Sequence, residues 1–239
     1  MPPAAPEPQS GSFDQAEAPP TRSEQLPEPL PPDPFPLFAA WYAEALARRA
    51  QPNPNSMALA TVEPDGRPSA RIVLCKSIDE REGSLTFFTN YDSAKGRALA
   101  ANPVAAVLFH WDALDRQVRI EGPVARVSEA ESDAYFATRP WESRIGAWSS
   151  EQSRPIGSRR ELHARVAAAM QRFGISPLRL PAPGEPVAIP RPAHWGGYRI
   201  LAQRVELWVS GRGRIHDRGL WERAPGPAPG PWSAVRLQP

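Results

Sequence analysis

Apolar and polar positions alternate in short runs along most of the chain, a period of two that is typical of strands with one buried face. β-Branched and aromatic residues are frequent in these runs, and the Glu-Pro-Asp-Gly sequence at 63–66 predicts a hairpin turn between the first two. The runs cover residues 57–62, 70–74, 85–90, 104–111, 118–127, 198–209 and 232–237. The pattern therefore predicts a mainly β domain.

Other segments show signals typical of helices. Asp33 followed by Pro34 is typical of a helix start, Ser128 and Glu131 can form a capping box, and Gly174 predicts a helix end. The predicted helices span residues 33–49, 93–101, 128–139 and 158–173, and the proline-rich stretch 177–192 predicts a loop. A few helices beside many strands favour an antiparallel α+β barrel over a parallel α/β sheet.

Composition divides the chain into two parts. Residues 1–32 are rich in Pro, Ala, Glu, Ser and Gln, so they bury too little apolar area to offset chain entropy, and we expect a disordered tail. The remaining stretch, 33–239, has the length of one ordinary domain. No run approaches 18 consecutive apolar residues and no signal pattern opens the chain, so neither membrane insertion nor secretion is expected.

The charged and sulfur-containing residues narrow the function classes. A formal net charge of +2 gives no reason to expect nucleic acid as a partner. Cys75 is the only cysteine, which excludes an intrachain disulfide and favours a reducing compartment such as the cytoplasm. The four histidines lack metal-ligand spacing, so no metal site is predicted. Most basic residues are arginine, whose planar fork suits phosphate or carboxylate groups.

Two segments place cations beside predicted strands. In the run 71–76, strand alternation puts Arg71 and Val73 on one face and Lys76 on the other, so the two cations could bind different anions. Lys95 lies at a predicted helix start, where free N–H groups favour an anion. Solvated strand-end charges and a plain N-cap fit the same patterns.

Two further groups have the spacing of a shared face. Tyr135, Arg139 and Ser143 are four apart, so one helical or nearly helical face would present a phenol, a guanidinium and a hydroxyl, although a solvated helix face is the alternative. If residues 214–218 are extended, Arg214, His216 and Arg218 share one side of a strand. An ordinary structural histidine and a core position for the nearby Trp208 remain the alternatives.

Ten stretches, in order along residues 33–239, resemble the pyridoxamine 5'-phosphate oxidase family. Any one of them is weakly specific, whereas their collinearity is highly specific. The stretches are 33–38, 71–76, 88–90, 116–118, 135–140, 143–148, 151–153, 195–197, 206–208 and 214–218.

The resemblance implies a Greek-key type split β-barrel, flanked by helices, that forms a homodimer with two FMN molecules at the interface. By analogy, Arg71 and Lys95 bind the FMN phosphate. The rest of this FMN-lining set consists of Ile72, Val73, Leu74, Cys75, Lys76, Phe88 and Thr89. Gln152 and Ser153 would reach the cofactor from the partner chain, and Gln117, Trp208 and Arg218 would border its isoalloxazine ring.

The resemblance also implies a substrate and a reaction. Lys76, Tyr135, Arg139 and Ser143 match the clamp on the substrate phosphate, while Arg214, Ile215 and His216 match the residues at the pyridine ring. Arg214 and His216 are the implied catalytic pair. The expected reaction passes a hydride from pyridoxine or pyridoxamine 5'-phosphate to the flavin. Dioxygen reoxidises the flavin, which gives pyridoxal 5'-phosphate and hydrogen peroxide, with ammonia from the amine.

Some features depart from the family. Ala94 stands where the family has an arginine beside the lysine, so one FMN phosphate contact is missing, and Cys75 replaces an aliphatic residue. The proline-rich tail offers no counterpart of a substrate-closing segment. Two other functions stay open: a related split-barrel FMN oxidase acting on another substrate, such as a phenazine precursor, and a flavin-binding protein without turnover.

Overall fold

The computed structural model describes residues 24–182, 185–224, 226 and 230–239. Five α-helices lie in these ranges: α1 Phe35–Ala47, α2 Ala94–Ala101, α3 Glu129–Thr138, α4 Trp141–Ser149 and α5 Arg159–Arg172. The first five strands are β1 Ser56–Val62, β2 Pro68–Leu74, β3 Ser77–Asp79, β4 Ser84–Asn90 and β5 Val104–Trp111. The other five are β6 Arg116–Arg126, β7 Trp195–Leu201, β8 Arg204–Val209, β9 Asp217–Glu222 and β10 Ser233–Leu237.

The strands form one antiparallel sheet that curls into a half-barrel. Its main path runs β10-β9-β8-β6-β5-β1-β2, and β7, β4 and β3 branch from the far end of β6. The first part of β6 pairs with β8, whereas Val124–Arg126 pairs with β7. Gly122 lies between these parts, and a Cβ there would be 1.9 Å from the Leu201 carbonyl oxygen. Only glycine allows this close approach, which lets β6 change partners and curl the sheet.

Two apolar clusters hold the domain together. The larger one fills the half-barrel and includes the fully buried Phe38, Phe109 and Trp111. The smaller one lies under α3, α4 and α5, where Phe136 and Ile145 pack near Trp195. The helices therefore flank the sheet, and the predicted mainly β, antiparallel split-barrel fold is confirmed.

The end of the predicted disordered tail is packed on the sheet. Leu26 is 3% exposed and joins the barrel core. The carboxylate of Glu24 accepts hydrogen bonds from the buried Arg116 at 2.6–3.0 Å, and the Trp221 indole donates to the Pro31 carbonyl oxygen at 2.7 Å. The prediction was therefore wrong for residues 24–32, because Leu26 and backbone acceptors find partners on distant strands. Residues 1–23 lie outside the described residues.

Some element predictions need correction. The single strand predicted over 198–209 is two strands, because the chain turns at 202–203 between β7 and β8. Helix α4 and strands β3 and β9 were not predicted. Helix α1 begins at Phe35, two residues after Asp33, whose Oδ1 accepts the Phe35 N–H at 2.9 Å. Within the described ranges, no helix is long and apolar enough to cross a bilayer.

Candidate functional site

A cleft of about 720 Å³ lies where the edge strand β2 faces helices α3 and α4. Strands β2, β4 and β7 contribute to its wall, as do helices α2 to α4 and the segment after α4. Many of the predicted site residues line it. They are Arg71, Ile72, Val73, Leu74, Lys76, Phe88, Thr89, Lys95, Tyr135, Arg139, Ser143 and Gln152.

One part of the wall holds the pair Arg71 and Lys95. Arg71 reaches back toward β1 and donates to the Thr61 hydroxyl at 2.7 Å, with Glu63 4.0 Å away. Lys95 Nζ lies 2.7 Å from Gln152 Oε1 and 3.3 Å from Thr89 Oγ1. Burial, together with the charge of Arg71, lowers the pKa of Lys95 to about 8. The repulsion between these two positive charges would be relieved by a bound anion.

Lys95 comes to the cleft because α2 begins beside it. The Ser93 hydroxyl accepts the Gly96 N–H at 3.2 Å, so Ser93 is the N-cap of α2. Gly96 packs against the backbone of Tyr91, and a Cβ at that position would be 2.0 Å from the Tyr91 carbonyl oxygen. The tight turn therefore places the first residues of α2 against the end of β4, where Thr89 lies.

A second cationic group consists of Lys76 and Arg139, with Tyr135 and Ser143. Lys76 Nζ lies 5.9 Å from the centre of the Tyr135 ring. The Arg139 Nη1 atom is buried and has no hydrogen-bond partner, and burial lowers the pKa of this guanidinium. A buried donor without a partner is costly unless a ligand accepts from it. This group is therefore suited to a second anion.

The four-residue spacing of Tyr135, Arg139 and Ser143 does not place them on one helix. Helix α3 ends at Thr138, Arg139 has an extended backbone, and Pro140 precedes a new helix. All three side chains still line the same cleft. The predicted single helical face was wrong, since Pro140 disfavours a helical conformation at the residue before it.

Three nearly parallel aromatic rings line the cleft. Phe88 of β4 stacks on Tyr135 with ring centroids 4.0 Å apart and an interplanar angle of 19°. Trp195 of β7 lies 5.5 Å from Phe88 and is tilted by 13° relative to it. No role was predicted for Trp195, although the matching stretch 195–197 contains it.

The other predicted residues lie outside this cleft. Gln117, Trp208 and Arg218 are direct neighbours across β6, β8 and β9, so they form one row on the sheet. The His216 ring packs against the Trp208 ring, with centroids 4.6 Å apart and a tilt of 38°. The carboxylate of Glu206 is 3% exposed and accepts from Arg218 Nε at 2.9 Å, which fixes the guanidinium. The analogy links this row to the flavin ring, but it does not line the cleft of its own chain.

Residues 214–218 are not one extended segment. Arg214 ends a short 3-10 turn and has a φ of 63°, a left-handed conformation, and β9 starts only at Asp217. Ile215 is 75% exposed. Strand alternation therefore does not put Arg214 on a common face with His216 and Arg218, because Gly213 and Arg214 turn the chain.

Three residues predicted to bind the cofactor lie elsewhere than expected. Gln152 was expected from the partner chain, but it contacts Lys95 of its own chain. Ser153 has a φ of 70° and does not line the cleft. The Cys75 thiol is 1% exposed, and burial raises its pKa to about 12, so its side chain belongs to the core.

Comparisons with known proteins agree with this geometry. The family model described as pyridoxamine 5'-phosphate oxidase matches residues 43–173. A second model, the pyridoxine 5'-phosphate oxidase C-terminal dimerisation region, matches residues 195–239.

No group of three or more His, Cys, Asp or Glu in the described part of the chain could hold a metal ion.

Similar proteins come from several bacteria. A pyridoxine/pyridoxamine 5'-phosphate oxidase of Burkholderia orbicola is 52% identical over 208 residues, which cover 87% of this chain and 90% of the relative. The corresponding protein of Cupriavidus necator is 51% identical over 208 residues, with coverage of 87% and 90%.

Solved structures share the fold. PhzG from Burkholderia lata 383, in complex with tetrahydrophenazine-1-carboxylic acid, has a TM-score of 0.75 at 32% identity and covers 87% of this chain and 94% of its own. A pyridoxamine 5'-phosphate oxidase-related, FMN-binding protein from Nostoc punctiforme has a TM-score of 0.63 at 20% identity, with coverage of 84% and 97%, and shows the fold alone.

Fold and cleft define a split-barrel protein with two groups of cationic side chains in a cleft beside an edge strand. The extent of both family matches and the identity to the curated relatives settle the family. The chain belongs to the pyridoxamine 5'-phosphate oxidase family.

Proposed function

We propose that the protein is an FMN-dependent oxidase that converts pyridoxine or pyridoxamine 5'-phosphate to pyridoxal 5'-phosphate. The observation that carries this proposal is the presence of two separate cationic groups in one cleft, Arg71 with Lys95 and Lys76 with Arg139. A phosphorylated cofactor and a phosphorylated substrate require one such group each. The names of the curated relatives agree with this substrate class.

The first group fits the FMN phosphate. Lys95 and Arg71 carry charge that the nearby Glu63, 4.0 Å from Arg71, only partly offsets. The Thr89 hydroxyl and the Gln152 amide lie within 3.3 Å of each other, beside Lys95, and add neutral hydrogen-bonding groups. A phosphate dianion would accept from these groups and relieve the repulsion between the two cations. Phe88 and residues 72–74 would lie along the remainder of the cofactor.

The second group fits the substrate phosphate. Arg139 provides the unsatisfied Nη1 donor, and Lys76, Tyr135 and Ser143 line the same cleft. An arginine fork can bind two phosphate oxygens, and the lysine and the hydroxyls leave donors for the others. The clamp would hold the substrate by its phosphate and so orient the pyridine ring toward the cofactor.

A second copy of the chain would complete the site. Gln117, Trp208 and Arg218 form a row that does not line the cleft of its own chain, and residues 195–239 match a dimerisation region. The exposed side chains of Ile72 and Leu74 on edge strand β2 provide an apolar surface that is part of the cleft lining. We therefore propose a homodimer in which each copy brings this row, with Arg214 and His216, to the other copy's cleft.

FMN, when bound, would supply the redox chemistry, with the substrate as hydride donor and dioxygen as electron acceptor. The chain's own share is positioning and electrostatics. Arg218, fixed by Glu206, would place a positive charge at the ring, and His216, packed on Trp208, would contact the substrate side. A reducing compartment such as the cytoplasm is proposed from the single, buried Cys75.

The likeness to PhzG favours a second candidate, the oxidation of a phenazine precursor. The two candidate functions differ in whether the substrate requires the second cationic group. Arg139 and Lys76 are needed for a substrate phosphate, whereas a substrate without phosphate does not require a full clamp. The higher identity to the curated pyridoxine/pyridoxamine 5'-phosphate oxidases, 52% against 32%, also supports the first candidate.

The test is oxygen uptake by the FMN-loaded protein with pyridoxine 5'-phosphate, pyridoxamine 5'-phosphate, unphosphorylated pyridoxine and a reduced phenazine carboxylic acid. We expect turnover of the phosphorylated vitamers with formation of pyridoxal 5'-phosphate. Arg139→Ala should lower kcat/KM for them by about 10- to 100-fold, because a charge-assisted bond contributes about 1.5–3 kcal/mol. Arg172→Ala, outside the cleft, is the control and should change little.

Two results would contradict the proposal. Turnover of the phenazine alone would support the second candidate. A yellow, FMN-loaded dimer that oxidises none of these compounds would indicate a flavin-binding protein without turnover.

A further inference from the structure

Arg139 lies on the face of an indole. Its guanidinium carbon is 4.6 Å from the centre of the Trp195 ring, and 5.6 Å from the centre of the Phe136 ring. Among the residues that the structure describes, no carboxylate pairs with this guanidinium. Aromatic faces therefore hold the half-buried guanidinium in place of an anionic side chain.

Trp195 is itself held firmly. It is 7% exposed, and its ring packs edge-on against Phe136 at 5.0 Å. Its backbone pairs with Asn90 across β4 and β7, and its carbonyl oxygen accepts from Arg191 Nη1 at 2.8 Å. The indole is thus a fixed surface that can set the position of a neighbouring side chain.

The choice of an indole has a chemical consequence. A carboxylate partner would occupy the N–H donors of Arg139 and would repel a phosphate, whereas a ring face attracts the cation and leaves the in-plane donors available. The unsatisfied Nη1 atom is such a donor. Arg139 also lies at the extended junction between α3 and α4, where the local backbone alone would leave its side chain many conformations.

We propose that Trp195 is a positioning residue for the substrate phosphate: its indole holds Arg139 with the N–H donors directed into the cleft. This inference rests on the proposed function and adds a specificity element to it. Trp195 would act on phosphorylated ligands through Arg139 and would not contribute to binding of the unphosphorylated ring.

The test measures binding of pyridoxal 5'-phosphate and of unphosphorylated pyridoxal to the FMN-loaded protein by equilibrium dialysis, and FMN retention in parallel. Trp195→Leu should raise the Kd for pyridoxal 5'-phosphate by about tenfold, since a desolvated cation–π contact is worth up to ~2 kcal/mol and tenfold corresponds to ~1.4 kcal/mol. The Kd values for pyridoxal and for FMN should change by less than about twofold. Trp195→Phe keeps a smaller ring and should give an intermediate rise.

Two matched variants separate positioning from general packing. In an Arg139→Ala background, Trp195→Leu should add less than about twofold, because the residue through which it acts is absent. Trp148→Leu removes a similar contact, since Arg172 lies 4.3 Å from the Trp148 ring, but Trp148 does not line this cleft. This control should lose thermal stability and keep its affinity for pyridoxal 5'-phosphate.

The inference fails if Trp195→Leu weakens pyridoxal and pyridoxal 5'-phosphate equally, or if its effect is the same with and without Arg139. If Trp195→Leu does not fold, the same comparisons are made with Trp195→Phe and decide the question. Failure of the proposed function would look different, since the wild-type protein itself would then not oxidise the phosphorylated vitamers.

Discussion

FMN affinity should fall as Lys95 loses its proton. The pKa of Lys95 is lowered to about 8, first by burial and then by the charge of Arg71. The ammonium of Lys95 lies within 3.3 Å of the neutral Thr89, Ser93 and Gln152. Only the protonated form attracts a phosphate, so FMN binding should be strongest below about pH 7 and should weaken as the pH rises through about 8.

The size of the effect follows from this pKa. A free-protein pKa of about 8 leaves Lys95 about nine-tenths protonated near pH 7 and about one-tenth protonated near pH 9. A bound phosphate would raise the pKa of Lys95, so the proton stays on in the complex. The Kd for FMN should therefore increase about tenfold between these two pH values.

The assay is equilibrium dialysis of the FMN-free protein against FMN at several pH values, with the flavin measured by absorbance. Lys95→Arg is the matched control, because an arginine keeps its charge over this range and should give a nearly constant Kd. Lys95→Gln should bind weakly and also without pH dependence. A wild-type Kd that stays constant up to about pH 9, or a Lys95→Arg variant with the wild-type slope, would refute this reasoning.

Three further predictions concern the division of roles and the fold. Arg71→Ala should mainly weaken FMN retention in dialysis, whereas Arg214→Ala should lower kcat far more than FMN retention; equal effects on both properties would contradict the assignment. Gly96→Ala should lower the free energy of unfolding by about 1–3 kcal/mol in urea titrations, because its Cβ would be 2.0 Å from a backbone oxygen. Gly146→Ala, with open space around it, should not be destabilised. Leu26→Ala should cost about 2–5 kcal/mol, and an unchanged Tm would show that the segment does not pack as described.

The sequence predicted the elements whose signals are local. Alternating apolar residues located β1, β2, β4 and β5, and Ser128 caps its helix as the capping box predicted. Ser93 and Ser158, which begin two of the predicted helix spans, are the N-caps of α2 and α5. The two strands that replace the predicted 198–209 run were missed because the turn at 202–203 contains no Gly or Pro. Helix α4 follows Pro140, and the stretch offered no apolar stripe strong enough to predict it.

The grouping of the site residues was harder to predict from the sequence pattern alone. Nothing in the spacing of Lys76 and Arg139 indicates that the two residues line one cleft, and their grouping came from the resemblance to a family. The unsatisfied donor of Arg139 and the stacking of Trp195 depend on tertiary packing, which no local pattern encodes. The packing of Leu26 on the sheet is also long-range, because its core partners lie far along the chain, and the proline-rich composition indicated the opposite.

The most direct measurement is a crystal structure of the protein with FMN and pyridoxal 5'-phosphate bound. One phosphate should lie against Arg71 and Lys95, and the other against Lys76 and Arg139, with both aromatic rings between them. Both phosphates at one of these groups, or a vitamer bound away from Arg139, would contradict the assignment of one cleft to two phosphorylated ligands.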